Sequence, residues 1–199
     1  GSFNATGLDF LADVDSDGVA DYNETLAGTD ANDSNSTPGV STIDVMVIYD
    51  ASLPAEYNND HQARIDHIIT VSNQALLDSN VDMQLRLVET QLIDSTQNFG
   101  DMLNDGSDGT GLYSELPALR TQFGADIVSI VTARDDTPEP SCGVAYGGGY
   151  AQEGFMSADT YVNVSDVRFD GCDDMTVLHE IGHNMGLGHS AAQDSTGTF

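Results

Sequence analysis

Three histidines near the end of the sequence have a spacing that could hold one metal ion. His179 and His183 are four residues apart, so on a helix both side chains would lie on the same face. Gly186 can adopt a positive φ, which would end the helix and turn the chain so that His189 supplies a third nitrogen. Three protein ligands with one open position are typical of a catalytic zinc site, whereas four ligands close a structural site. The alternative is that these histidines lie on one face of a helix and are packed in the protein core without a metal.

Glu180 directly follows the first predicted ligand and could lie against a water molecule bound to the metal. Zinc lowers the pKa of its bound water and polarises a carbonyl group. Glu180 could then act as the general base that accepts the proton of the attacking water and passes it to the leaving amine. The alternative is a buried residue that only orients one of the metal ligands.

The elements that must position these residues can be predicted from hydrophobic patterns. Apolar or alternating runs predict strands, a 3.6-residue periodicity predicts helices, and a region rich in Gly, Asp and Asn predicts a loop. The helix that carries the histidines is expected to be capped by Asp173 or Asp174. The predicted strands are 43–49, 81–93, 126–132 and 161–167, and residues 142–149 are predicted to be a short strand that runs into a Gly-rich turn. The predicted helices are 60–79, 112–123 and 175–185, and the predicted loop is 98–111.

The stretch H-E-I-G-H-N-M-G, together with His189, resembles the zinc signature of the metzincin metallopeptidases, and it is most similar to the reprolysin (adamalysin) branch. Reprolysins usually have Asp after the third histidine, where this sequence has Ser190. Metzincins also carry a Met-turn further downstream, and Met185 lies inside the signature and cannot be that residue.

This resemblance implies an α/β (α+β) fold of the zincin type, with a five-stranded mixed sheet, packed helices and a zinc-binding helix. Residues 41–199 would be a catalytic domain made of the upper subdomain and the zinc helix, truncated before a Met-turn, with the lower subdomain largely absent. By the same resemblance, the short strand formed by Gly143, Val144, Ala145, Tyr146 and Gly147 would be the edge strand that pairs with an extended substrate.

An acidic loop near the start of the sequence fits the D-x-D-x-D-G template of a calcium-binding loop. A tail of the form G-T-D-x-N-D follows at 28–33, and it resembles thrombospondin type 3-like calcium repeats. Residues 1–40 are therefore predicted to be a calcium-binding repeat and linker; the alternatives are the end of a pro-segment or a solvated acidic loop. The predicted Ca²⁺ ligands are Asp13, Asp15, Asp17, the carbonyl of Val19, Asp21 and Glu24.

Composition limits the class of partner and the compartment. The net charge is −28 and the sequence contains no lysine, so binding to nucleic acid or to an anionic membrane is not expected. No hydrophobic run reaches the length of a membrane span. Cys142 and Cys172 predict one disulfide in an oxidising compartment, with two free thiols as the alternative. Together with the calcium loop, this predicts a secreted protein.

The sequence therefore predicts a secreted, zinc-dependent endopeptidase that acts on a protein or peptide substrate through a metal-activated water, with Glu180 as the general base. Two other functions remain open. One is a calcium-dependent binding or adhesion module whose zinc site is inert, and the other is a zinc hydrolase of non-peptide substrates. The oligomeric state, the natural substrate and the mechanism of latency are not predicted.

Overall fold

The computed structural model describes residues 12–16, 21, 29–36, 39–134, 141–147, 161–168 and 172–189. The chain divides into two compact units, Gly1–Ser41 and Thr42–Phe199. Within the described part of the first unit, residues 30–36 form tight turns, in which Asp33 N donates to Asp30 O and Ser36 N donates to Asp33 O. A search of the described residues finds no helix with the length and apolar character needed to cross a membrane.

The second unit is built on a five-stranded mixed sheet with the strand order β2-β1-β3-β5-β4. The pairs β1–β3 and β3–β5 are parallel, and β4 runs antiparallel to β5. This mixed sheet with packed helices confirms the predicted zincin-like fold class. The strands are β1 (Ser41–Tyr49), β2 (Met83–Leu92), β3 (Ile127–Thr132), β4 (Gly143–Ala145) and β5 (Val162–Asp166).

Five helices are present in the described residues of this unit, together with a short 3₁₀ turn at Gly111–Tyr113. The helices predicted at 60–79, 112–123 and 175–185 correspond to α2, α4 and α5. The short helix α1 was not predicted, because the region reads as a polar loop with Pro54. The helices are α1 (Ser52–Glu56), α2 (His61–Asp78), α3 (Phe99–Asp108), α4 (Leu116–Phe123) and α5 (Thr176–Asn184).

The loop predicted at 98–111 is wrong, because most of this region forms helix α3. The side chain of Asn98 caps the helix by accepting a hydrogen bond from Asp101 N, and Gly109 ends it in the left-handed region with φ 61°. Phe99, Met102 and Leu103 are buried, so burial of one apolar face outweighs the weak helix preference of the Gly and Asp residues.

The two faces of the sheet carry separate hydrophobic clusters. Successive side chains of a strand point to opposite faces, so Val128 and Ile130 of β3 join one cluster, while Ile127 and Val131 join the other. Helices α3 and α4 cover the first face, which we call the α3/α4 face. Helices α2 and α5 cover the second, which we call the α2/α5 face. The candidate site lies at α5.

Candidate active site

Helix α5 places His179 and His183 one turn apart on the same exposed side. The helix ends at Asn184, and Gly186 follows with φ 94°, as expected for the sharp turn. Leu187 N donates to Gly182 O at 2.8 Å, which folds the chain back along the helix. This turn brings the imidazole of His189 to those of His179 and His183, with ring centroids 5.0 and 4.6 Å away.

The Nε2 atoms of His179, His183 and His189 form a triangle in which each pair is 3.0 Å apart. An Nε2 atom either carries a proton or offers a lone pair, so at least two of the three atoms must be alike, and that pair cannot share a hydrogen bond. A single cation can accept all three lone pairs. Nitrogens that bind one zinc ion tetrahedrally at about 2.0–2.1 Å are roughly 3.3 Å apart, so the observed triangle fits such an ion.

The surroundings of the histidines favour the lone pairs at Nε2. His183 Nδ1 lies 2.7 Å from Leu187 O and can only donate to this carbonyl, so in neutral His183 the Nε2 atom carries no proton. Burial, and then the neighbouring His183 and His189, lower the pKa of His179 and favour its neutral form. Among the described residues, these three histidines form the only group of three side chains suited to a metal ion.

Glu180 points from α5 towards the sheet and is only 5% exposed. Burial raises the pKa of its carboxyl group to about 7. A cation at the adjacent histidines would lower this pKa again, because a nearby positive charge stabilises the carboxylate. The side chain therefore lies in an environment where its protonation state depends on the charge beside it, as a proton-transfer group requires.

A cavity of about 660 Å³ lies between helix α5 and residues 141–145, and both Glu180 and the three histidines line it. Of the predicted substrate strand, Gly143, Val144 and Ala145 form β4, and Tyr146 and Gly147 follow it. Strand β4 is last in the strand order, so in the described sheet its outer side is an edge next to the cavity. An extended peptide could pair with such an edge.

The predicted disulfide between Cys142 and Cys172 is present. It joins the residue before β4 to the segment that leads into α5, which holds the two walls of the cavity together. The predicted cap of α5 is partly different from the structure. Met175 is the N-cap residue, Asp173 accepts a hydrogen bond from Met175 N at 2.7 Å, and Asp174 instead pairs with Arg64 at 2.7 Å.

The sequence did not single out Asn184, which links α5 to strand β5 and to the residue after β4. Its Nδ2 atom donates to Val162 O at 2.9 Å and to Tyr146 O at 3.2 Å, while its Oδ1 atom accepts from Asn163 Nδ2 at 2.9 Å. The residue is fully buried. A signal exists in the sequence, because Asn184 lies four residues after Glu180 and both are polar on the side of the helix that carries Val177 and Ile181.

The predicted calcium loop lies partly outside the described residues, since Asp17, Val19 and Glu24 are not among them. Of the others, Asp13 and Asp15 are described, and Asp21 accepts a hydrogen bond from Val14 N at 2.8 Å. Asp21 N also donates to Ala12 O at 2.8 Å, so the two ends of the described part are joined. Calcium binding stays a prediction.

The model of the family described as "Metallo-peptidase family M12" matches residues 40–198. The chain belongs to this metallopeptidase family. The match includes β1 to β5, α5 and all three histidines. Membership in a metallopeptidase family implies a metal ion, and the histidine triangle is the group of described residues that fits one.

A curated relative supports the family, and one solved structure with a TM-score above 0.5 supports the fold. A peptidyl-Asp metalloendopeptidase of Pseudomonas aeruginosa is 31% identical over 182 residues, which cover 88% of this chain and 29% of that protein. The chain thus spans less than a third of the length of this curated relative. A chain in a structure titled as a chaperone-substrate complex matches with a TM-score of 0.63 and 22% identity, over 79% of this chain and 25% of that chain. Metalloproteinase-II from Bacteroides fragilis matches with a TM-score of 0.46 and 17% identity, over 76% of this chain and 44% of that chain.

Proposed function

We propose that this chain is the catalytic part of a secreted zinc endopeptidase, similar to the reprolysin branch, in which Glu180 is the general base. One observation carries the proposal: three Nε2 atoms 3.0 Å apart lie beside a buried carboxyl group, in a cavity flanked by an edge strand. The family match supports peptide-bond hydrolysis, and the disulfide supports an oxidising compartment outside the cytosol.

His179, His183 and His189 would hold the zinc ion. When bound, zinc acts as a Lewis acid that polarises the scissile carbonyl and lowers the pKa of water towards neutrality. The carbonyl of Leu187 keeps the proton of His183 on Nδ1, which leaves Nε2 free to bind the metal. The role of these residues towards the metal is thus to offer three neutral nitrogens in a preformed triangle.

The remaining steps belong to the chain's own groups. The free edge of β4 would hold the peptide in an extended conformation by backbone hydrogen bonds, so that the scissile bond lies along the cavity. Glu180 would accept a proton from the attacking water at its carboxylate and then donate it to the departing amine. Because the carboxyl group of Glu180 is buried against the sheet, few water molecules besides the attacking one can exchange protons with it.

The acidic segment is part of the same proposal. Asp13, Asp15, Asp17, Asp21, Glu24 and the carbonyl of Val19 would hold a calcium ion, and residues 1–40 would be a calcium repeat and linker before the catalytic domain at 41–199. Hydrogen bonds from Val14 N to Asp21 Oδ1 and from Asp21 N to Ala12 O support a closed loop. The alternative function, a calcium-dependent binding module with an inert zinc site, makes the opposite prediction about cleavage.

Cleavage of unfolded casein with zinc and calcium present tests the function. The Glu180→Gln variant keeps the shape of the side chain and removes the base, so we expect activity to fall by about 100-fold or more while bound zinc stays at one per chain. Glu115→Gln, at the exposed glutamate that precedes helix α4 as its N-cap residue, is the matched control and should cleave like the wild type.

A pair of peptides that differ only by Asp or Asn tests whether the chain shares the bond preference in the name of the relative from Pseudomonas aeruginosa. Equal cleavage by wild type and Glu180→Gln would overturn the role of Glu180. A chain that binds zinc and cleaves neither casein nor the peptides would overturn the proposed peptidase and favour the binding module.

A further inference from the structure

Gly143 of β4 lies directly against the side chain of Glu180. A Cβ atom at Gly143 would lie 2.5 Å from Glu180 Oε1 and 2.7 Å from both Cδ and Cγ. Real Cβ atoms do not approach other atoms within 3.0 Å, so the space that any other residue would need at this position is filled by Glu180. The backbone of Gly143 does not have a positive φ, so alanine could adopt it, and only the space distinguishes the two residues.

Register explains why this contact forms. Val144 pairs with Val164 and packs in the cluster of the α3/α4 face, so its neighbour Gly143 faces the other side of the sheet, where α5 lies. Gly143 itself pairs with Ser165. Helix α5 is held against this part of the sheet by Asn184, which binds Tyr146 O just beyond β4. The helix and the strand therefore meet at a fixed distance.

Glu180 has little freedom to give way at this contact, because it is 5% exposed and lies between the helix and the sheet. A methyl group at Gly143 would push the carboxylate away from β4 and change its position relative to the histidines. The same strand offers its backbone edge to the peptide in the proposed function. One residue thus touches the proton-transfer group and belongs to the strand that would hold the substrate.

We infer that Gly143 is a positioning residue: its missing side chain lets β4 set where the carboxylate of Glu180 lies beside the histidine cavity. This inference rests on the proposed function, since the position of Glu180 matters only if Glu180 transfers a proton. The role is separate from substrate docking, because the backbone groups that would bind a peptide are the same in glycine and alanine.

Steady-state cleavage by Gly143→Ala separates the two roles. Displacement of the base should lower kcat by roughly 10- to 100-fold with KM within about twofold of wild type, since small misplacements of catalytic groups have effects of this size. Bound zinc should stay at one per chain. Gly39→Ala is the matched control, because a Cβ atom there meets nothing within 4 Å, and it should leave both constants unchanged. An unchanged kcat, or a rise in KM alone, would overturn the inference.

A second measurement needs no activity. Gly143→Ala should lower the melting temperature by about 2–4 °C in the chain with Glu180, and by clearly less in a Glu180→Ala background, where the clashing atoms are gone. Equal shifts in the two backgrounds would show that Gly143 and Glu180 are not coupled and would overturn the inference. If the variants show this coupling but the wild-type chain does not cleave casein, the proposed function is overturned instead.

Discussion

The two faces of the sheet are packed by different chemistry. On the α3/α4 face, the interior positions of β1, β3 and β5 contribute apolar, fully buried side chains, and the buried polar residues with the same alternation, Thr132 and Asp166, stand at the last positions of β3 and β5. The apolar side chains are Met46, Ile48, Val128, Ile130, Val162 and Val164. On the α2/α5 face, the same strands also contribute three fully buried polar residues, which are Ser129, Asn163 and Ser165.

Helix α5 adds three more buried polar residues to the α2/α5 face, Thr176, Glu180 and Asn184. Burying a polar group costs desolvation free energy unless the group is hydrogen-bonded. A purely apolar interface would therefore hold a helix on the sheet without this free-energy cost. Hydrogen bonds, however, fix direction and distance more narrowly than apolar contacts do. The hydrogen bonds of Asn184 indicate that the α2/α5 face also orients the helix that carries the histidines, while the α3/α4 face mainly stabilises the fold.

The largest effect is expected from a cavity in the α3/α4 face. Phe99 is fully buried there, and Phe99→Ala should lower the free energy of unfolding by about 3–5 kcal/mol. Urea denaturation measures this loss. The folded fraction should still bind one zinc ion per chain and cleave casein at the wild-type rate, because Phe99 packs in the cluster of the α3/α4 face, while α5 packs in the cluster of the other face. A large fall in activity per folded molecule would contradict a purely stabilising role for this face.

A smaller loss of stability, joined to a loss of activity, is expected on the α2/α5 face. Asn184→Ala removes the bonds to Val162 O and Tyr146 O, so the free energy of unfolding should fall by about 1–3 kcal/mol. Because the bond to Tyr146 O also aligns β4 with α5, casein cleavage should fall even at temperatures where the variant is fully folded.

Asn73→Ala is the matched control for this variant. Asn73 likewise joins a helix to a strand, with Nδ2 donating to Leu85 O at 2.9 Å and Oδ1 accepting from Leu85 N at 2.7 Å. It lies between α2 and β2, away from the histidines. A comparable loss of stability with unchanged cleavage is expected. If both variants lose activity equally, the hydrogen bonds of Asn184 have no special role at the site.

The smallest effect concerns Tyr113, a titratable side chain that is fully buried in the cluster of the α3/α4 face. Burial raises the pKa of its hydroxyl from 10 to about 12. Between pH 10 and pH 12 the tyrosine loses its proton in the unfolded chain but keeps it in the folded chain. The stability that this buried hydroxyl contributes is therefore complete below pH 10 and is lost as the pH rises towards 12. At pH 11 the wild type should have lost about 1 kcal/mol that Tyr113→Phe retains. Urea denaturation at pH 8 and pH 11 tests this difference, and identical pH dependence in both proteins would contradict it.

Much of the fold could be predicted from the sequence because its elements have strong local signals. The apolar runs of β1 and β3 and the periodic pattern of α2 identify these elements without tertiary information. Helix α3 was missed for the opposite reason. Its Gly, Asp and Asn residues favour a loop locally, and only the burial of Phe99, Met102 and Leu103 against the sheet makes the helix favourable.

The metal-binding residues of the site could be predicted from the sequence, but the contacts that position them could not. The spacing of His179, His183 and His189, with Gly186 between the last two, was sufficient to predict that the three side chains converge. The contact between Gly143 and Glu180 was not predictable, because it depends on the register of β4 against β5 and on the height of α5 above the sheet. The spacing of Glu180 and Asn184 indicates two polar residues on the buried side of α5, but it does not identify the partners of Asn184, which lie on distant parts of the chain.

The strand order has a consequence for how the chain folds. Strand β1 lies between β2 and β3, and Asp44 N next to this pairing bonds to Asp126, 82 residues later. Parallel pairing over such a distance forms slowly, so the apolar residues of β1 stay exposed until β3 is available. A partly folded chain of this kind would tend to associate with other copies. The net charge of −28 opposes this, because intermediates with so much negative charge repel one another before their strands can pair.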